Sequence, residues 1–189
     1  MQYLRIPRDR VGVLLGRDGS LKRKVEEETG VLISVDSDEG NVEIDGSKAP
    51  DRVMELKVAS YVNAIGRGFS SQRARRLLSE DVFLEIMHIS DYVGGRKNRI
   101  LRMRGRIIGR GGRSRETLEN LTETMISVQG DTVAIIGDPL ELELARSSVD
   151  MLLRGSEHSS VFRFLESRQR ELKLRELTYS IEPEWPEEE

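Results

Sequence analysis

The pattern of apolar and polar positions along this chain is run through twice. In the first pass, Gln2–Ile6 reads as a short strand, and Pro7 suits the first turn of a helix reaching Leu15, with Val11, Leu14 and Leu15 on one side. Gly16–Gly19 breaks that helix. Ser20 is suited to cap a second helix ending at Thr29, and Gly30 to follow it, because glycine enters a left-handed backbone without steric cost. Val31–Val35 predicts a strand, residues 36–41 (DSDEGN) a hairpin turn, and Val42–Asp45 the returning strand. From Pro50 a long helix is expected to about Ile65, with Val53, Leu56 and Ala59–Tyr61 as its buried side.

The second pass predicts a strand at Val82–Ile89, a helix at about Asn98–Ile108, a break at Gly109–Gly112 and a helix at Arg113–Thr124. Strands follow at Met125–Gln129 and Thr132–Ile136, then a helix at Pro139–Leu153. Sliding the sequence by 93 residues sets GRDGSLKRKVEEETGVLISV (16–35) on GRGGRSRETLENLTETMISV (109–128), with eight of twenty positions identical. The flanks agree as well: VLLG lies on RIIG, and NVEIDG (41–46) on TVAIIG (132–137). Each copy reads βααββα. Such a unit buries the apolar face of a three-stranded antiparallel sheet under three helices, so the expected fold is α+β with two tandem domains. The expected boundaries are 1–66 for the first, 67–81 for a structured basic connector and 82–155 for the second. A C-terminal helix is expected within 156–175, using Val161, Phe162, Leu165 and Leu172, ahead of a disordered acidic tail at 176–189.

Composition narrows the chemistry. At 189 residues and 37% hydrophobic, the chain has room for two small cores. No apolar run approaches the ~18 residues of a membrane span, and the N-terminus lacks a signal-peptide stretch, so a soluble cytoplasmic protein is expected. Cysteine is absent and histidine occurs only at 88 and 158, which removes disulfide scaffolds, Cys/His zinc sites and thiol catalysis. Gly-Lys never occurs, so there is no phosphate loop of the nucleotide hydrolases. Asp36, Asp38 and Glu39 begin like a calcium loop, but Asn41 and Ser47 stand where its Gly and Glu belong. A non-enzyme without metal or cofactor is the expectation.

Charge points elsewhere. The net charge is −3, yet residues 94–115 hold nine basic side chains and no acid, while the last fourteen residues hold six acids and no base. A clustered cation field is the footprint of a polyanion. Within it, helix, Gly-x-x-Gly turn and helix bring free backbone N–H groups and a positive helix end to an exposed turn that a phosphate can approach closely. This is the physics of the KH module, whose GXXG loop clamps about four nucleotides. The extra strand and helix follow the GXXG in both copies, which makes both type I. The stronger RNA site is expected at Gly109, Arg110, Gly111 and Gly112, with Arg113 and Arg115 after the loop and Lys97, Arg99, Arg102, Arg104 and Arg106 before it. A weaker one is expected at Gly16, Arg17 and Gly19 with Lys22, because Asp18 inside that loop repels phosphate. Aromatic residues are only 5%, so backbone clamping rather than stacking should dominate.

The connector AIGRGFSSQRARRLL (64–78), the segment KNRILRMRGRIIGRGGRSRETLENLTETMISV (97–128) and the run LLRGSEHSSVFRFLE (152–166) resemble the archaeal form of a KH-domain small-subunit assembly factor family called "partner of Nob one", or Dim two. The similarity covers nearly all of residues 1–175, and the retained Gly16 and Gly19 favour the archaeal form. The resemblance implies binding to the 3′ region of precursor small-subunit ribosomal RNA, beside the cut made by the endonuclease Nob one. It also implies cooperation with the rRNA dimethyltransferase and with the α subunit of translation initiation factor two. On the physics alone, a general KH-type regulator or an exosome-associated RNA-binding subunit stays open.

Overall fold

The computed structural model describes residues 1–179. The first unit runs β1 (Gln2–Arg5), α1 (Arg8–Leu15), α2 (Ser20–Thr29), β2 (Leu32–Val35), β3 (Asn41–Asp45) and α3 (Arg52–Gly66). A connector of α4 (Ser71–Ala74) and a 3-10 turn (Arg75–Leu78) leads to β4 (Phe83–His88), α5 (Ser90–Val93), α6 (Lys97–Ile108), α7 (Arg113–Thr122), β5 (Met125–Gln129), β6 (Thr132–Gly137) and α8 (Pro139–Leu153). The last helix, α9, spans His158–Tyr179, so residues 176–179, expected in the tail, are helical; residues 180–189 of that tail lie outside the described residues. Two antiparallel sheets share one order, β1-β3-β2 and β4-β6-β5, with the last strand central. Ile33 faces Ile44 in one and Ile126 faces Ile135 in the other. The fold class is α+β, with two type I KH domains. The short helix α5 is an insertion that the βααββα reading did not contain.

Several local expectations are corrected. Ser20 is the first helical residue of α2 rather than its cap; Gly19 caps it, left-handed and without a side-chain bond. The long third helix starts at Arg52 instead of Pro50, because the Asp51 carboxylate accepts from the Met54 N–H at 2.8 Å. Along α3, Val53 and Leu56 are exposed, and the buried stripe is Val58, Tyr61 and Ile65 with Met54 half-buried one turn earlier. This stripe is widened by Lys57, Ala59, Val62 and Ala64 because α3 touches strands of both sheets.

That double contact explains a difference between the repeats. In β3, NVEID alternates, and its outward positions are half-buried or exposed; in β6, all six residues of TVAIIG are buried. An unbroken apolar strand is one covered on both faces. Val133 and Ile135 pack with Leu118 and Val149 of their own unit, while Ala134 and Ile136 join Tyr61, Phe69, Ala74 and Leu77 of the first unit and connector. The second sheet is therefore a shared wall.

The connector is pinned to that wall. A Cβ on Gly68 would lie 2.4 Å from Gln129 Oε1 and 2.6 Å from Ser127 Oγ, so only glycine lets it come this close to β5. The Ser127 hydroxyl donates to the Arg67 carbonyl at 2.9 Å. Lys57, a buried cation, donates to the carbonyls of Glu80 and Val82 at 2.7 Å each and lies over the Phe83 ring. Burial pulls its ammonium below the usual 10.5, against the opposing pull of Asp81 and Glu80. In α9, Val161 and Leu165 are fully buried against α7 and α8 and Phe162 is half-buried; the side chain of Leu172 lies outside the described residues. No helix among the described residues is long and apolar enough to cross a membrane.

Candidate nucleic-acid interface

The two Gly-x-x-Gly turns have nearly the same backbone. Gly16 and Gly109 stand at φ 72 and 73°, Asp18 and Gly111 at φ 52 and 63°, and Gly19 and Gly112 at φ 73 and 83°, each opening a helix. Neither α2 nor α7 has a side-chain cap; the leading N–H of each, Ser20 and Arg113, is taken by the Arg17 and Arg110 carbonyls of the turn, and the helix dipoles favour an anion beyond it, although α7 carries Glu116 in its first turn. The glycines do different work. A Cβ on Gly109 would lie 2.6 Å from Ser114 Cβ, and one on Gly16 2.5 Å from Leu21 Cγ, so the first glycine lets the loop fold onto its own helix. Around Gly19 and Gly111 there is open space within 4 Å, which leaves room for a group as large as a phosphate beside the backbone.

The structure sorts the cations. Lys97, Arg99, Arg102, Arg110 and Arg113 are exposed on α6, in the loop and at the start of α7, and Arg17 is exposed in the first loop. Arg104 is half-buried with its Nε unsatisfied. Arg106 is turned inward: its guanidinium donates to the carbonyls of Leu152 and Ser156, tying α6 to the end of α8. Arg10 of α1 does the same in the first unit, donating to the Ile65 and Phe69 carbonyls. Arg106 is thus a packing residue in this geometry, although the sequence grouped it with the surface cations.

Lys22 and Arg115, equivalent under the 93-residue shift, are both engaged by carboxylates four residues on. Lys22 Nζ sits 2.9 Å from both oxygens of Glu26, and Arg115 Nε lies 3.6 Å from Glu119 Oε2. Each glutamate also accepts the N–H of an edge-strand isoleucine, Ile33 at 2.7 Å and Ile126 at 2.6 Å. This accounts for the Glu26/Glu119 identity, while Ile33 and Ile126 are alike as buried core residues facing Ile44 and Ile135. A second cation arrives at Glu119 from outside the unit, the Arg73 guanidinium of the connector. Sequence reasoning missed Arg73; its only signal was the basic composition of the connector. Among the described residues, no group of three His, Cys, Asp or Glu is placed to hold a metal ion.

Known proteins with this arrangement are informative. The family described as eukaryotic-type KH domains (KH-domain type I) matches residues 83–170, and the general KH domain family matches residues 1–56. A KH domain-containing protein of Methanocaldococcus jannaschii is 42% identical over 174 residues, 92% of this chain and 76% of its own length. RNA-binding protein pno1 of Drosophila melanogaster is 36% identical over 118 residues, 62% of this chain and 49% of its own length, so the match spans about half of that relative. Among solved structures, Dim2p of Pyrococcus horikoshii, in a complex with a/eIF2alpha and rRNA, has a TM-score of 0.84 at 43% identity, covering 90% of this chain and 94% of that one. A protein of unknown function from Aeropyrum pernix has a TM-score of 0.88 at 37% identity, covering 95% of each chain.

Proposed function

This chain belongs to the archaeal Dim2p and pno1 family of KH-domain proteins, and from that premise we propose that it grips the 3′ region of precursor small-subunit rRNA chiefly through its second GXXG loop. It is an RNA-binding protein of small-subunit ribosome biogenesis and not an enzyme. One observation carries the ranking of the loops: around Gly111 an open, uncapped helix end meets the exposed Arg110 and Arg113, whereas the matching first loop places the Asp18 carboxylate at that point. The RNA and the initiation-factor α subunit found with the Pyrococcus relative support the same two partners here. Nob one as the nuclease that cuts the gripped RNA, and the rRNA dimethyltransferase as a neighbour, are partners we infer from the family.

A titration with single-stranded RNA from the 3′ end of the small-subunit rRNA tests the reading. Arg110→Asp combined with Gly111→Asp should cost on the order of a hundredfold in affinity, the loss of one or two charge-assisted contacts. Arg17→Asp should cost much less. A larger loss from the first-loop change would reverse the ranking.

A further inference from the structure

The Arg73 guanidinium, a connector group, reaches the second repeat at a point that the GXXG physics does not explain. It bonds Glu119 Oε1, an oxygen already held by the Ile126 N–H at the free edge of β5. Glu119 Oε2 faces Arg115 Nε, and Arg115 Nη2 lies 4.0 Å from where a Cβ on Gly112 would sit, so the Arg115 guanidinium stretches from the GXXG loop to Glu119. One carboxylate therefore faces two guanidinium groups, and the exposed Glu116 carboxylate stands beside them, its Oε1 3.9 Å from the same Gly112 position. Arg73 uses one of its five donors on Glu119, lies over the Phe69 ring at 5.7 Å and keeps 36% of its side-chain surface open. From Gly112 to Glu119 is seven residues of α7, about 10 Å along the helix.

Resting on the reading that the second GXXG loop clamps RNA, we propose that Arg73 is a further RNA-contacting residue, one that carries the phosphate track past the clamp and onto the connector. Glu119 is the positioning residue, fixed by a backbone N–H, with Arg115 at one oxygen and Arg73 on the other, both half-buried. The first repeat has the glutamate, the isoleucine N–H and the cation Lys22, and among the described residues no second cation pairs with Glu26. The extended track therefore belongs to the second repeat alone. RNA beyond the roughly four nucleotides of the clamp gains a contact there that a shorter RNA does not reach.

Two single-stranded RNAs test this with the full chain, one of four nucleotides and one of ten with the same core. Each phosphate contact on a single strand contributes about −0.7 to the slope of log affinity against log salt. Arg73→Gln should make the slope for the ten-nucleotide RNA shallower by about that amount and leave the four-nucleotide slope unchanged, while Arg73→Lys should restore it. A protein in which Arg73 only braced the connector would show a lower melting temperature with both slopes intact. Photocrosslinking of the unaltered protein to 4-thiouridine placed outside the four-nucleotide core should label residues 71–78. An unchanged ten-nucleotide slope, or labelling confined to residues 97–128, overturns the proposal while the clamp stands. Failure of either RNA to bind the unaltered protein sinks the clamp and this extension together.

Discussion

Glu123 stands where the first repeat has Gly30, and it takes the same left-handed backbone, φ 57° against 69°. A side chain there costs roughly 1–2 kcal/mol, whereas glycine loses roughly 0.5–1 kcal/mol more in unfolded-chain freedom. Glu123→Gly should therefore stabilise the protein by about 0.5–1 kcal/mol, read as an upward shift of the denaturant midpoint at constant slope. Residue identity alone does not expose such positions, since Glu123 looked like helix interior until the helix was seen to stop at Thr122. The same limit applied to the cations. Arg113 and Arg106 are identical as letters, and only the fold shows that one faces solvent and the other grips the Leu152 and Ser156 carbonyls. The glycines were more legible, because a left-handed backbone leaves few alternatives.

Among the elements, α6 is built against its own dipole. It begins at Lys97, with Arg96 before it, Arg99 in its first turn and no acid there, so cations crowd its positive end. Each such charge costs about 0.3–1 kcal/mol, a loss that an RNA-facing helix recovers on binding. Lys97→Glu should accordingly raise the melting temperature slightly and weaken RNA binding, and calorimetry beside a titration at fixed salt checks both signs; a variant that lost stability would remove the dipole argument. At this scale the chain was readable in its order of strands and helices, because the period of apolar positions sets each type. The phase of α3 was not, since Val53 and Leu56 form a stripe as regular as Met54, Val58, Tyr61 and Ile65, and the choice between them lies with two sheets far apart in sequence. In β6 the signal was present and unread: VAII beside VEID already distinguishes a strand covered twice from one covered once.

For the whole molecule, the shared wall makes two domains into one cooperative body, since Ala134 and Ile136 of the second sheet complete the first unit's core. A carboxylate at that interface has no partner and costs at least about 3 kcal/mol. Ala134→Asp should split a single calorimetric unfolding transition into two, one for each unit; a single transition at lower temperature would mean that the units depend on more than this face. The shared wall also dictates an order of events during synthesis. The connector ends at Leu78, and the strand that covers it is not finished until Gly137, 59 residues later. At roughly 5–20 residues per second, the emerging first half waits about 3–12 s with its apolar side bare to water. That interval, before the second half exists to shield the first, is when the nascent chain is most exposed to aggregation and a chaperone has most to protect.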